Sequence, residues 1–155
     1  MYFIIAVIFI VLTAILAWWK GYSSSLWFMA VGPLGLLILI FAVPDIKNIT
    51  DPEEKIKRTK RGNFIGAILT ILSLFVIALD FASQAPKTGA FNISFLILII
   101  FTGVVSSGIS RECFTFKSSV SRGAGCLFIF GGILMVLLTV SIFLVWGILP
   151  MLGFK

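Results

Sequence analysis

The chain of 155 residues contains no histidine. That absence removes His-based nucleophile activation, His metal sites and the commonest general base together. Cysteine is nearly as scarce: Cys113 and Cys126 form no C-x-x-C pair and are too few to close a zinc site. Six acids stand against twelve Lys and Arg, and only Asp80 lies inside a long apolar run. An intramembrane aspartyl protease needs two carboxylates. A serine protease pairs its serine with His or Lys, and no apolar run here holds either. Ser106-Ser107-Gly108 lacks the G-x-S-x-G frame of a nucleophile elbow, and no phosphate-cradling P-loop occurs. These missing residue types argue against enzyme activity, and no cofactor or metal is expected.

What the chain has in abundance is apolar surface. Its hydrophobic fraction is 60% and its mean hydropathy is +1.18, well above the roughly 45–50% apolar content of soluble domains. A soluble fold of this size cannot hide that much, so the expected solvent is a bilayer. The formal charge of +6 does not point to nucleic acid. The basic residues sit in short loops between apolar runs, where they face the anionic headgroups of the lipid bilayer.

Five segments approach the length needed to cross about 30 Å of hydrocarbon as helices: residues 2–19, 26–43, 63–82, 91–109 and 123–149. The expected fold is therefore all-α, a polytopic integral membrane protein with five transmembrane helices. Residues 1–46 form a helical pair, 47–62 a basic cytoplasmic loop or short helix, and 63–155 a three-span bundle. The first span has no preceding positive residue and no A-x-A-like site after it, so it reads as retained rather than as a signal peptide. Orientation follows from charge. With the N-terminus cytoplasmic and the C-terminus outside, Lys47, Lys55, Lys57, Arg58, Lys60, Arg61, Arg111, Lys117 and Arg122 share the inner side. Only Lys20, Lys87 and Lys155 fall outside, nine against three. Trp18, Trp19, Trp27 and Trp146 then form an outer aromatic belt.

Lys20-Gly21, Ser23, Trp27, Gly32-Pro33 and the closing Pro44-Asp45 make residues 1–46 resemble the two-helix N-terminal module of uncharacterised bacterial inner-membrane proteins. In those proteins a cysteine-bearing zinc ribbon or polar tail often follows the hairpin. Here three more spans follow instead. The resemblance implies a bacterial plasma membrane and no particular activity. Pro33, about two turns into the second span, predicts a kink there.

Half of the basic residues lie in PDIKNITDPEEKIKRTKRG, residues 44–62. Thr50 or Asp51 can cap a helix there, Pro52 suits its first turn, and Glu53 and Glu54 favour its positive end. Glu53/Lys57 and Glu54/Arg58 stand four apart and can pair. Lys55, Lys57, Arg58, Lys60 and Arg61 are candidate contacts for lipid headgroups.

Small and polar residues form stripes in the last three spans. Gly62, Gly66, Thr70, Ser73 and Asp80 share one helical face, as do Gly103, Ser106, Ser107 and Ser110, while Gly125, Gly132 and Thr139 are spaced by seven. Close packing through small residues is what associates helices in lipid. These three faces are expected to meet, with Gly62, Gly66, Ser73, Gly103, Ser107, Gly125 and Gly132 as the packing positions. Asp80 is the candidate polar intramembrane site, although about 27 Å along its helix it approaches the outer interface. The leading expectation is a structural or accessory subunit that packs with itself, as a homo-oligomer, or with a larger membrane partner. The alternative is a small transporter or channel using the polar faces, with Asp80 as its ion or proton site.

Overall fold

A lysine followed by a glycine is a helix-stop signal, and it acts as one at Lys20-Gly21. The structure, a computed structural model, describes residues 2–30, 32–88, 92–113 and 119–154. Helix α1 (Tyr2–Lys20) ends where Gly21 takes a positive φ of 90°. The Gly21 N–H donates to the Trp18 carbonyl at 3.1 Å, and the Tyr22 N–H donates to the Ala17 carbonyl at 2.8 Å. Together these are the two bonds of a Schellman cap.

The chain continues through α2 (Ser24–Trp27), α3 (Gly32–Phe41), α4 (Pro52–Thr88), α5 (Ile93–Cys113) and α6 (Ser119–Phe143), then a π-helical turn (Leu144–Ile148) and α7 (Leu149–Met151). Among the described residues there is no strand, so the fold is all-α. Three stretches, Pro52–Lys87, Ile93–Cys113 and Arg122–Met151, are helices long and apolar enough to cross a membrane. The helices divide into two compact units, Met1–Ser73 and Leu74–Lys155. The seam lies inside α4, so the first half of the expected third span packs with the N-terminal elements rather than standing apart from them.

In the first unit the segment 26–43, expected as one span with a kink, is broken into two pieces. The ten residues of α3 extend about 15 Å, half the thickness of a hydrocarbon core. Its first residue, Gly32, has φ 53°, and Pro33 follows in the first turn, where its missing N–H costs nothing. Proline therefore starts a helix here instead of bending one. The turn before it is tight: a Cβ on Gly35 would lie 1.7 Å from the Ala30 carbonyl oxygen, so only glycine fits. Ala17, Tyr22, Trp27, Ala30, Leu39, Val43 and Ile46 form the buried cluster that joins these pieces. Trp27, expected in an interfacial belt, is fully buried at its centre.

Helix α4 begins as its sequence predicts. Asp51 Oδ1 accepts the Glu53 N–H at 3.0 Å, Pro52 opens the first turn, and Glu54 pairs with Arg58. The basic run and the third span are one helix of 37 residues. Gly62 and Gly66 are the notches in it. A Cβ at Gly62 would fall 2.1 Å from Tyr22 Cε1, and one at Gly66 would fall 2.5 Å from Trp27 Nε1.

In the second unit, α5 packs against α6 and buries Leu98, Thr102, Val105, Ser106, Gly108 and Ser110. Phe81 and Phe95 stack with ring centroids 4.9 Å apart, joining the end of α4 to the start of α5. Two prolines leave carbonyls without their usual donors. Pro86 cannot supply the N–H that would reach the Ala82 carbonyl, and the Trp146 indole N–H donates to that oxygen instead, at a long 3.4 Å. Pro150 follows the π turn, in which the Leu149 N–H reaches back five residues to the Leu144 carbonyl. A wider turn is a recurrent way for a helix to absorb such an obstruction.

Gly66→Leu forces the Trp27 ring out of its notch and should lower stability by about 1–3 kcal/mol. A Cβ at Gly132 meets nothing within 4 Å among the described residues, so Gly132→Leu should leave the thermal midpoint of the detergent-solubilised protein unchanged. Equal midpoints for the two variants would contradict this packing.

Candidate functional site

Every helix ends with carbonyls that its own N–H groups cannot reach. At the end of α3 these oxygens meet a cation from another helix. Lys20 Nζ donates to the carbonyls of Leu39 at 2.6 Å, Ile40 at 3.2 Å and Val43 at 2.5 Å. Pro44 explains the chain's departure there, because the residue before a proline is disfavoured in the helical conformation. The Ile46 N–H then donates to the Lys20 carbonyl at 3.2 Å, and Lys47 Nζ lies 5.2 Å from the centroid of the Trp18 ring. The C-termini of α1 and α3 are thus latched side by side, and residues 21–46 leave from and return to one place.

Tyr22 closes the same latch. Its hydroxyl donates to the Pro44 carbonyl at 2.7 Å while its ring covers Gly62. Next to it the Ser23 N–H donates to Asn63 Oδ1 at 2.9 Å, and deeper along α4 Thr70 Oγ1 donates to the Leu26 carbonyl at 2.8 Å. Contacts at 62, 63, 66 and 70 mark a descent of about 12 Å along α4. The Trp27 indole N–H, packed against Gly66, has no acceptor among the described residues.

The small-residue stripe of α4 is therefore filled from within its own unit, by Tyr22, Trp27 and the Leu26 carbonyl. Ser73 donates to the Leu69 carbonyl in its own helix. On α5, Ser106 likewise donates to the Thr102 carbonyl at 2.7 Å, and Ser107 is half-buried. Among the described residues, no atom lies within 4 Å of a Cβ added at Gly103 or Gly132, and Gly125 is half-buried.

Asp80 stands exposed near the end of α4. Gln84 Nε2 donates to its Oδ1 at 2.7 Å and Ser94 Oγ to its Oδ2 at 2.5 Å. Both oxygens are engaged in a clip between the end of α4 and the first turn of α5. Lys55, Lys57, Arg58, Lys60 and Arg61 are all exposed on the first turns of α4. Cys113 is exposed and Cys126 half-buried, and both are free thiols. Lys117 and Lys155, which enter the charge count, lie outside the described residues. No family model, no curated protein and no solved structure matches the chain.

Sequence reasoning missed Lys20, Tyr22 and Asn63 as a group. Two signals were present: a cation in a helix's last turn before glycine, and an asparagine at the apolar margin of a long helix. Tyr22 lies outside the expected spans and is 4% exposed. Burial raises its hydroxyl above the ordinary value of 10.0, with the positive charge of Arg58 pulling it back and the negative charge of Asp45 adding to the rise. The fold thus favours the neutral phenol. The stability this gives is intact below about pH 10 and is lost as pH climbs through the raised value, where the bond to Pro44 loses its proton. Alkaline titration followed by phenolate absorbance should show one tyrosine ionising late. Tyr22→Phe should abolish that component and cost about 1 kcal/mol of stability; a late component that survives Tyr22→Phe contradicts the assignment.

Proposed function

We propose that this chain is a non-enzymatic integral membrane protein of the plasma membrane that serves as a structural or accessory subunit, packing with itself or with a larger membrane partner. The observation that carries the reading is the closed packing of Tyr22 and Trp27 into Gly62 and Gly66. A conduit along the polar stripe of α4 would need open space at that level, and rings occupy it. Further support comes from large apolar side chains left uncovered along the helices, such as Ile100 at 62%, Phe128 at 86% and Met135 at 66% exposed. Water does not tolerate such a surface at this density, whereas lipid or a partner helix covers it. The resemblance of residues 1–46 supports a bacterial inner membrane as the setting. Native mass determination after gentle extraction from the host tests the subunit reading. A fixed-ratio complex with a larger protein or a defined homo-oligomer is expected. A monomer that conducts ions in liposomes would overturn it.

The threading that best suits the latch differs from five crossings. Lys20 lies against Leu39 to Val43 and Lys47 lies over Trp18, so residues 21–46 are best read as a re-entrant hairpin that enters and leaves by one face. Helices α1, α4, α5 and α6 then cross, and both termini lie outside. Charge supports this. Lys20 joins the inner nine residues to give ten basic residues inside, against Lys87 and Lys155 outside, a stronger positive-inside asymmetry than five spans allow. Single cysteines at Trp19 and Lys47, in a chain with Cys113 and Cys126 replaced by serine, separate the two threadings. Both should resist a membrane-impermeant thiol reagent added to intact cells, and both should react after the membrane is opened. Labelling of Trp19→Cys alone from outside would restore the five-span arrangement.

A further inference from the structure

At the mouth of the hairpin, a cleft of about 270 Å³ opens between the exit of α3 and the first turns of α4. Ala42, Val43 and Pro44 form one wall, Arg58, Arg61, Gly62 and Ile65 the other, and Tyr22 closes the back. Arg58, Arg61 and Ile65 recur at three- and four-residue intervals, so they share one face of α4. Two arginines therefore line the α4 wall, and Val43 and Ile65 add apolar lining from opposite sides. Arg58 is held by Glu54, whereas Arg61 has no ion-pair or hydrogen-bond partner among the described residues. Tyr22 ties the two walls together, its hydroxyl bonded to the Pro44 carbonyl on one side and its ring packed over Gly62 on the other, so the cleft is built rather than improvised by mobile side chains.

The geometry points to a binding site for a phosphate oxyanion carried on an amphipathic molecule, namely the headgroup of an anionic phospholipid. Guanidinium forks match phosphate oxygens in pairs. The cleft lies where α4 changes from KIKRTKR to NFIGAIL, the level at which a lipid's phosphate gives way to its glycerol and chains. Its volume is just under the roughly 300–1,000 Å³ of sites that enclose a whole ligand. It holds a headgroup and leaves the acyl chains in the bilayer. Lys55, Lys57 and Lys60 do not line it, and they supply only the diffuse attraction of any basic surface. The inference rests on the membrane reading above.

The test uses the full chain in nanodiscs of phosphatidylcholine, with phosphatidylglycerol titrated in and bound lipid counted by native mass spectrometry. Failure of the chain to enter nanodiscs at all would defeat the membrane reading; the outcomes below concern the cleft alone. One phosphatidylglycerol should be retained per chain. Arg58→Gln/Arg61→Gln should weaken retention by about tenfold or more, equivalent to the loss of one to two charge-assisted hydrogen bonds. Lys57→Gln/Lys60→Gln, with the same charge removed outside the cleft, should weaken it by about twofold at most. Ala42→Trp, which fills the cleft and leaves every charge in place, should also abolish retention. Equal losses from the two charge pairs, or full retention by Ala42→Trp, would overturn the site. Competition by millimolar inorganic phosphate with no preference for phosphatidylglycerol over phosphatidylcholine would assign the cleft to a soluble phosphate and overturn the lipid.

Discussion

Two helix C-termini lie side by side in this protein, and one ammonium group makes that arrangement possible. The carbonyl ends of α1 and α3 each carry partial negative charge from their aligned peptide dipoles. Brought together in a weakly polar setting they repel, and the oxygens of Leu39, Ile40 and Val43 would lack donors. Lys20 answers both problems. Its nitrogen, at the end of α1, sits among the carbonyl oxygens of Leu39 and Ile40 in α3 and of Val43 just beyond it. A charged hydrogen bond is worth roughly 1.5–3 kcal/mol, so three of them outweigh the loss of side-chain freedom of one lysine, about 2 kcal/mol. The return of the chain at Pro44, the bond from Ile46 to the Lys20 carbonyl and the position of Tyr22 all follow from that contact.

With the hairpin mouth fixed, its depth is set by what α4 lacks. Gly62 and Gly66 stand one turn apart, and the rings of Tyr22 and Trp27 occupy the space their missing side chains leave. Aromatic rings supply large contact area with few rotatable bonds, so this joint is rigid. Its weak point is the Trp27 indole N–H, which is buried without an acceptor among the described residues. The unsatisfied donor costs something like 1–3 kcal/mol, which the ring's contacts offset. The second unit solves a related problem differently. There Pro86 leaves the Ala82 carbonyl without its helical donor, and an indole N–H supplies one across the unit.

Much of this architecture was legible before any coordinates. The all-helical character, a cap at Thr50 or Asp51 and the continuation of the basic run into an apolar helix followed from periodicity and end signals. The face carrying Gly62, Gly66 and Thr70 was legible too, but its partner was not. A periodic stripe says which side of a helix admits close approach and says nothing of what approaches. Three such stripes invited pairing with one another, whereas for the first of them the neighbour was a pair of aromatic rings that hydropathy counts as ordinary apolar residues. The break in residues 26–43 escaped for a similar reason. Averaged hydropathy stays high through Trp27-Phe28-Met29-Ala30, although the backbone there is turning. Gly32-Pro33 was visible, but proline marks a kink and a helix start with the same letter, and only the positive φ of Gly32 separates them. Asp80 stood out because charge in an apolar run is rare. Its role as a clip needed Ser94, fourteen residues away, which no local pattern joins to it.

The latch has a consequence for how the chain is made. The carbonyls that satisfy Lys20 lie 19 to 23 residues further along. At about 5–20 residues per second, the ribosome needs roughly one to five seconds to deliver them. Throughout that interval the Lys20 ammonium lacks the three oxygens that later hold it. The joint between α1 and α3 is therefore a late event in synthesis, closed only once Val43 has been added to the chain.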